Sequence, residues 1–320
     1  MSSRQLLRLV LLVQVLIACA IAAGAARAGA GPWQAVAIGV MSVVLVRLAI
    51  NANNFVMSRR VASPTPHQYR LGPAAAVRML GEEFGASMLV SSWHMPRARP
   101  HTRIHPDCRT PPVLLLHGYG CNSGYWAHLT PRLDAAGISH ATLDLEPLTG
   151  DIDGFADAIE EGATRLRRAA GAPQVIIVGH SMGGLAARAW LRRHGSAQVA
   201  RVITLGTPHH GTCLAAFGIG VNAAQMRRAG VDGPACTWLR ELAAHEDVAT
   251  RACITSIYTH HDNIVAPQTS GHLEGARNLE LGGVGHVALG RNRRVLALVM
   301  DEIGRSPTAC PAPPVLHGAA

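Results

Sequence analysis

Residues 174–194 read QVIIVGHSMGGLAARAWLRRH and give the strongest indication of the fold. Their apolar, β-branched beginning is typical of a buried strand, and residues 185–194 have the composition of a helix. Between them, the segment 179–183 (GHSMG) places Ser181 in a sharp turn from strand to helix. Such a turn holds a serine hydroxyl clear of the sheet, and its glycines avoid collisions with neighbouring backbone. An ordinary glycine turn is the alternative, but the strand and helix on either side favour a nucleophilic serine.

The alternation of strand and helix continues from Pro111 onward. Short apolar runs predict strands at 113–116, 139–145, 174–178, 201–205, 253–258 and 278–281. Phe155, Ile159 and Leu166 recur at helical spacing, and a similar set lies near 295–303. Strands that alternate with helices predict an α/β fold with a mostly parallel sheet flanked by helices.

A second glycine-rich loop follows the first predicted strand, in VLLLHGYG at 113–120. An acyl-transfer site needs two N–H donors at the point where the tetrahedral oxyanion forms. We expect the backbone N–H groups of Tyr119 and Met182 to be these donors. The residues expected to support the two loops are His117, Gly118, Gly120, Gly179 and Gly183.

A general base and its carboxylate partner are expected after the last two predicted strands. Asp262 follows the strand at 253–258, and His286 follows the strand at 278–281. The chain order Ser181, Asp262, His286 fits a serine–histidine–aspartate triad, in which the aspartate holds the imidazole in the useful tautomer. Other carboxylates, Asp144 among them, fit less well. The paired histidines at 209–210 and 260–261 do not predict a metal site, because neighbours on a strand point in different directions.

Residues 111–304 resemble the bacterial lipase/esterase branch of the α/β-hydrolase superfamily, and especially small triacylglycerol lipases of bacilli. The motifs that carry this resemblance are HGYG, VGHSMGGL, TLGTPHHGT (204–212), HHDNIVAP (260–267) and GARNLELGGVGHVAL (275–289). The resemblance implies the α/β-hydrolase fold and the triad and oxyanion-hole roles given above. The expected serine mechanism needs no cofactor. The chain departs from a minimal lipase in a longer insert at about 213–250, which is either a lid or acyl-chain wall, or a set of extra packing helices.

The N-terminal 50 residues are predicted to form a membrane hairpin. Residues 9–26 carry no charge, and a second apolar run begins at Trp33, so we expect transmembrane helices at about 6–26 and 33–50. Two alternatives remain: a secretory signal cleaved after Ala28, or buried helices of a soluble protein.

The charge distribution favours a membrane partner over nucleic acid. All 29 basic residues of the 320 are arginine, and twelve of them lie in residues 1–110 beside only three carboxylates. A basic excess next to an apolar segment suits a membrane surface. Arginines flank both ends of the hairpin, whereas its turn holds only Arg27, so both ends are expected in the cytoplasm of a bacterial cell at the inner membrane. A secreted or periplasmic catalytic domain is the alternative.

The composition of the chain also predicts its remaining segments. Residues 51–110 are expected as a basic connector with a helix near 74–90, residues 111–304 as the catalytic domain, and residues 305–320 as a Pro-rich tail. Seven cysteines show no framework of disulfides, although one bridge is possible. The sequence thus predicts a membrane-anchored serine hydrolase of carboxylic esters, with lipid acyl esters favoured. The alternatives are an acyltransferase or thioesterase with the same triad, or a catalytically silent membrane scaffold.

Overall fold

A single seven-stranded sheet organises the computed structural model, which describes residues 2–305. The strands are Thr102–Arg103 (β1), Val113–Leu116 (β2), His140–Leu143 (β3), Val175–His180 (β4), Val199–Leu205 (β5), Ile254–Thr259 (β6) and Arg277–Leu281 (β7). Their order is β1-β3-β2-β4-β5-β6-β7, and every neighbouring pair is parallel except β1 with β3. All six predicted strands are present; only the short edge strand β1 was not predicted.

Helices cover both faces of the sheet. The α-helices are Ser3–Arg27 (α1), Pro32–Arg60 (α2), Pro73–Leu89 (α3), Met95–Arg97 (α4), Thr130–Ala135 (α5), Ala156–Ala170 (α6), Met182–His194 (α7), Val221–Gln225 (α8), Thr237–Ala244 (α9), Val248–Ala252 (α10) and Arg293–Gly304 (α11). Because side chains alternate along a strand, Leu114 and Leu116 of β2 pack with α6 and α7 on one face. Val113 and Leu115 pack with α3 and α11 on the other face. The alternating strand and helix pattern of the sequence therefore gives the predicted α/β fold.

The two N-terminal helices are long and apolar enough to cross a membrane, and their large side chains are mostly exposed. They pack closely where Gly39 meets α1, since a Cβ at Gly39 would lie 2.3 Å from the carbonyl oxygen of Ala18. The ends of the hairpin contact the rest of the chain: Arg8 donates to the carbonyl of Pro96 over 3.0 Å, and Arg47 donates to the hydroxyls of Ser91 and Ser92.

Helix α2 continues to Arg60, beyond the expected end of the membrane span at about residue 50. That expectation follows the end of the apolar run. Residues 51–54 (NANN) can continue a helix, however, and no glycine or proline follows until Pro64. At a rise of about 1.5 Å per residue, the 29 residues of α2 are about 44 Å long, which exceeds the roughly 30 Å hydrocarbon core of a bilayer.

The segment expected as a connector is mostly folded onto the core. Helix α3 matches the helix expected near 74–90, and it buries Met79, Glu83 and Ala86. A π-helical turn at Val90–His94 leads into α4 and β1, and Val90 and Met95 are buried with the sheet. The divisions at residues 50 and 110 stay a prediction.

The insert at 213–250 has two different parts. Phe217 and Ile219, near its start, are 71% and 76% exposed. By contrast, Leu239 and Leu242 of α9 are buried in the core beside α7. The predicted tail lies outside the described residues except for Arg305, and the six cysteines within residues 2–305 are free thiols.

Candidate active site

Ser181 lies at the turn between β4 and α7 in a strained backbone conformation. Its φ is +54° and its ψ −123°, and within residues 2–305 it is the sole non-glycine residue with positive φ. Such strain persists only where the surrounding structure holds it, and it concentrates at functional sites. Here the Ser181 N–H donates to the carbonyl of Leu205 over 2.8 Å. A Cβ at Gly183 would lie 2.4 Å from the carbonyl oxygen of Leu116, so only glycine allows α7 to start this close to β2.

Asp262 and His286 form a buried pair, as their positions after β6 and β7 predict. The distance from His286 Nδ1 to Asp262 Oδ2 is 2.8 Å, and both side chains are nearly inaccessible to solvent. The other carboxylate oxygen, Oδ1, accepts hydrogen bonds from the N–H groups of Ile264 and Val265, at 2.8 and 2.7 Å. The carboxylate is therefore fixed in orientation, and it directs His286 to donate from Nδ1 and to keep a lone pair on Nε2.

Opposing effects act on the pKa of the His286 imidazole. Burial alone would lower the pKa of this imidazole, but the Asp262 carboxylate and its hydrogen bond outweigh burial, with Glu83 contributing. The net result is a pKa raised above its ordinary value of 6.5.

Ser181 is connected to the Asp262–His286 pair through its sequence neighbour His180. The ring of His180 lies 4.6 Å from that of His286, and His180 Nε2 is 3.2 Å from the His286 carbonyl oxygen. Among the residues that the structure describes, Ser181 Oγ makes no hydrogen bond with His286 Nε2. Catalytic hydrogen bonds of this kind are often long without substrate and tighten when it binds.

The loop at 117–120 runs against the serine. A Cβ at Gly118 would lie 2.9 Å from the Cβ of Ser181, so the backbone reaches the nucleophile only because this position is glycine. Met182 is the first residue of α7, where backbone N–H groups have no partner inside the helix. The hydroxyl of Tyr119 donates to the carbonyl of Ile219 over 2.8 Å and accepts from the Ile219 N–H over 3.0 Å. Tyr119 thereby joins this loop to the exposed part of the insert.

The buried side chain of His117 connects the ends of β2 and β3. Its Nδ1 lies 2.9 Å from the Gly118 carbonyl oxygen, and its Nε2 accepts from the Leu145 N–H over 2.8 Å. Burial lowers the pKa of His117, which suits this neutral, fully hydrogen-bonded ring. Its position shapes the loop without facing the serine pocket.

Glu83 of α3 is a functional candidate that sequence reasoning missed. Its fully buried carboxylate accepts from the N–H groups of Val287 and Ala288, at 2.9 and 2.8 Å, directly after His286. Burial raises the pKa of Glu83, and the two backbone hydrogen bonds offset part of that rise. One of two adjacent glutamates in a helix gives no sequence signal of such a contact, which joins residues about 200 positions apart.

A cavity of about 440 Å³ opens at Ser181. Its size falls within the usual range for small-molecule sites. Insert residues such as Phe217 and Leu214 form one side, and Ile264 and Val265 another. The end of α2 also contributes to the wall, through Asn53, Asn54 and Met57. A helix expected to be only a membrane anchor thus lines the cavity that contains the serine.

Comparison with known proteins agrees with this architecture. A family model described as the alpha/beta hydrolase fold matches residues 111–222. The chain has the α/β-hydrolase fold. The mature lipase BlEst2 of Bacillus licheniformis is 21% identical, with a TM-score of 0.53 over 64% of this chain and 98% of that one. Lipase B of Aspergillus fumigatus is 15% identical, with a TM-score of 0.55 over 84% of this chain and 86% of that one. The resemblance drawn from the motifs is confirmed at the level of the fold.

The structure brings together the residues that the sequence predicted for an α/β-hydrolase site. Asp262 and His286 are in contact, Ser181 occupies the strained turn, and the loop at 117–120 lies beside it. Their catalytic roles stay a prediction.

Proposed function

We propose that this α/β-hydrolase cleaves carboxylic esters through a serine–histidine–aspartate triad. Ser181 Oγ attacks the ester carbonyl carbon while His286 Nε2 takes its proton. The N–H groups of Tyr119 and Met182 donate to the oxyanion, and His286 returns the proton to the departing alkoxide. Water then attacks the acyl-enzyme with His286 again as base, and the acid is released. The observation that carries the proposal is the 2.8 Å contact of His286 with the fixed carboxylate of Asp262 beside the strained Ser181 turn.

The favoured substrates are acyl esters of membrane lipids. The cavity wall formed by Asn53, Asn54 and Met57 belongs to the same helix as the second candidate membrane span. Because α2 exceeds the hydrocarbon thickness by about 14 Å, its last nine or so residues would stand just outside the bilayer. Phe217 and Ile219 are exposed beside this mouth. An apolar mouth at that depth suits an ester whose acyl chain starts in the membrane.

A ladder of p-nitrophenyl esters, from short to long acyl chains, tests the reaction on full-length protein in detergent. We expect hydrolysis that is lost in Ser181→Ala, with an optimum at long chains. Equal activity of the two proteins would contradict the serine mechanism. A short-chain optimum would contradict the lipid substrate while leaving ester hydrolysis intact.

The contribution of α2 to the cavity has its own test. Met57→Trp fills part of the cavity, so we expect the optimum to shift to shorter acyl chains. Met41→Trp is the matched control, because Met41 is exposed on the membrane-facing part of the same helix. The same chain-length profile in both variants would show that α2 does not limit the acyl chain.

We further propose that the catalytic domain faces the cytoplasm at a bacterial inner membrane. Arginines concentrate at the two ends of the hairpin next to the folded domain, and Arg27 alone lies near its turn. The test is a reporter protein fused after residue 305. We expect activity from a reporter that works only in the cytoplasm and none from a reporter that works only in the periplasm. Activity of a reporter that requires the periplasm would reverse this orientation.

A further inference from the structure

Three side chains with metal-binding atoms meet at the β1 edge of the sheet, away from the serine cavity. His105 follows β1, Asp134 belongs to α5, and His140 is the first residue of β3. The ligand atoms of all three lie within 4.8 Å of one another. The cluster is at the amino-terminal end of β3, whereas Ser181, Asp262 and His286 follow the carboxyl ends of their strands. It has no part in the proposed ester hydrolysis.

The hydrogen bond at the other ring nitrogen settles the tautomer of His140. Its Nδ1 lies 3.0 Å from the carbonyl oxygen of Ile138. A carbonyl oxygen can only accept, so Nδ1 carries the proton and, in the neutral ring, Nε2 presents a lone pair.

That lone pair is buried and lacks a partner. The His140 side chain has no exposed surface, and its Nε2 accepts no hydrogen bond from the residues that the structure describes. The nearest carboxylate oxygen, Asp134 Oδ1, is 4.0 Å away, and it is an acceptor as well. In the neutral ring, two acceptor atoms therefore face each other, one buried and one partly exposed, and a cation between them would be bound by both.

His105 completes the set from the solvent side. Its Nε2 is 3.2 Å from the same Oδ1 of Asp134. The backbone of His105 is held in place, because its N–H donates to the hydroxyl of Ser139 over 2.9 Å. His105 and Asp134 are about one-third and two-fifths exposed, which leaves room for an entering ion and a water ligand.

We propose that His105, Asp134 and His140 form a binding site for a divalent transition-metal ion, Zn²⁺ foremost. Metal–ligand distances of about 2.0–2.2 Å in a tetrahedral site put ligand atoms roughly 3.4 Å apart, so the observed 3.2 and 4.0 Å need only small side-chain movements. Two imidazoles and a carboxylate suit zinc, and water supplies the fourth ligand. A histidine that ligates a metal also commonly donates its other N–H to a backbone carbonyl, as His140 does to Ile138. The ion would fasten the segment after β1 to α5 and β3.

The test is a calorimetric titration with Zn²⁺ on full-length, tag-free protein in detergent after treatment with a chelator. The variant Asp134→Asn removes the shared ligand at a partly exposed position, where the substitution should not prevent folding. His194→Gln is the matched control, because His194 lies 3.9 Å from Glu160 in a histidine–carboxylate pair outside the cluster. Thermal unfolding with and without Zn²⁺, and the visible absorption of bound Co²⁺, provide independent readouts.

We expect one Zn²⁺ per chain in the unmodified protein and in His194→Gln, with a rise in melting temperature on binding. Asp134→Asn should weaken this binding at least 10- to 100-fold, because the loss of even an outer hydrogen-bond partner of a metal ligand costs that much. Co²⁺ should give the absorption of a four-coordinate site that Asp134→Asn abolishes. Equal zinc affinity in Asp134→Asn and the unmodified protein, or no zinc-dependent rise in melting temperature, would overturn the proposal.

Discussion

Replacing Asp262 by asparagine should disable the imidazole without disturbing the fold. Asp262 Oδ1 accepts two backbone N–H groups, from Ile264 and Val265, so the amide oxygen of an asparagine would take that position. The amide NH₂ would then face His286 Nδ1 in place of Oδ2, which now lies 2.8 Å away. An NH₂ group only donates, so Nδ1 must become the acceptor and the ring proton must move to Nε2. A protonated Nε2 cannot take the proton of Ser181.

The size of the expected loss in turnover follows from that change of tautomer. Loss of the useful tautomer in a serine triad lowers turnover by about 10⁴. At about 1.36 kcal/mol for each factor of ten, this is about 5.4 kcal/mol of lost transition-state stabilisation. The stability of the fold should change far less, since the variant keeps the same shape and the same two backbone hydrogen bonds.

The assay is the rate of p-nitrophenyl ester hydrolysis by Asp262→Asn beside Asp144→Asn, with thermal unfolding to confirm that both variants fold. Asp144 is a matched control because it also follows a strand and accepts a backbone N–H, from Ser123 over 2.7 Å. We expect the large loss only in Asp262→Asn. A loss of less than about tenfold in that variant would refute the tautomer argument and move the acid role to another carboxylate.

Three further outcomes are expected. The kcat/KM of the unmodified protein should fall as the pH drops through the raised pKa of His286, so the acidic limb of the pH–rate profile should lie above pH 6.5. An acidic limb below pH 6.5 would contradict the described electrostatics. Glu83→Gln should move the same limb to lower pH, because it removes a negative charge that raises the pKa of His286, and a purely structural role would leave the limb in place. Glu246→Ala should lower the free energy of unfolding by about 3–5 kcal/mol, since it leaves the fully buried Arg188 guanidinium, now 2.6 Å from Glu246, without its carboxylate; denaturant unfolding that shows a cost below about 1 kcal/mol would contradict this.

Local sequence signals were sufficient to predict the strands of the sheet and the candidate site residues that follow them. Short runs such as VLLL in β2 are buried on both sides, so they stand out as continuous apolar segments. Parallel strands also deliver the residues after their carboxyl ends to one edge, which is why Asp262 and His286 could be paired from chain order alone. The strained Ser181 was predictable for a similar reason, because its glycine neighbours are a local requirement of the turn.

Contacts between distant segments could not be predicted in this way. Glu83 meets the backbone after His286 only because α3 packs on the sheet face, and nothing near residue 83 encodes that placement. The cluster of His105, Asp134 and His140 was missed likewise, since its members come from three elements. The full length of α2 could not be predicted from the apolar run, because hydropathy indicates where a membrane span ends, whereas backbone propensity decides where a helix ends.

The contacts of Glu83 and α2 show that the serine cavity depends on the N-terminal part of the chain. The family model begins at residue 111, yet two structural supports of the serine cavity come from before that point. Glu83 holds the backbone that follows His286, and Met57, with its neighbours on α2, closes one side of the cavity. Since α2 also contains the candidate membrane span, a shift of this helix would change the cavity wall directly. The N-terminal segment is therefore better understood as part of the candidate active site than as a tether. We expect substrate preference to depend on this segment as well as on the domain that follows it.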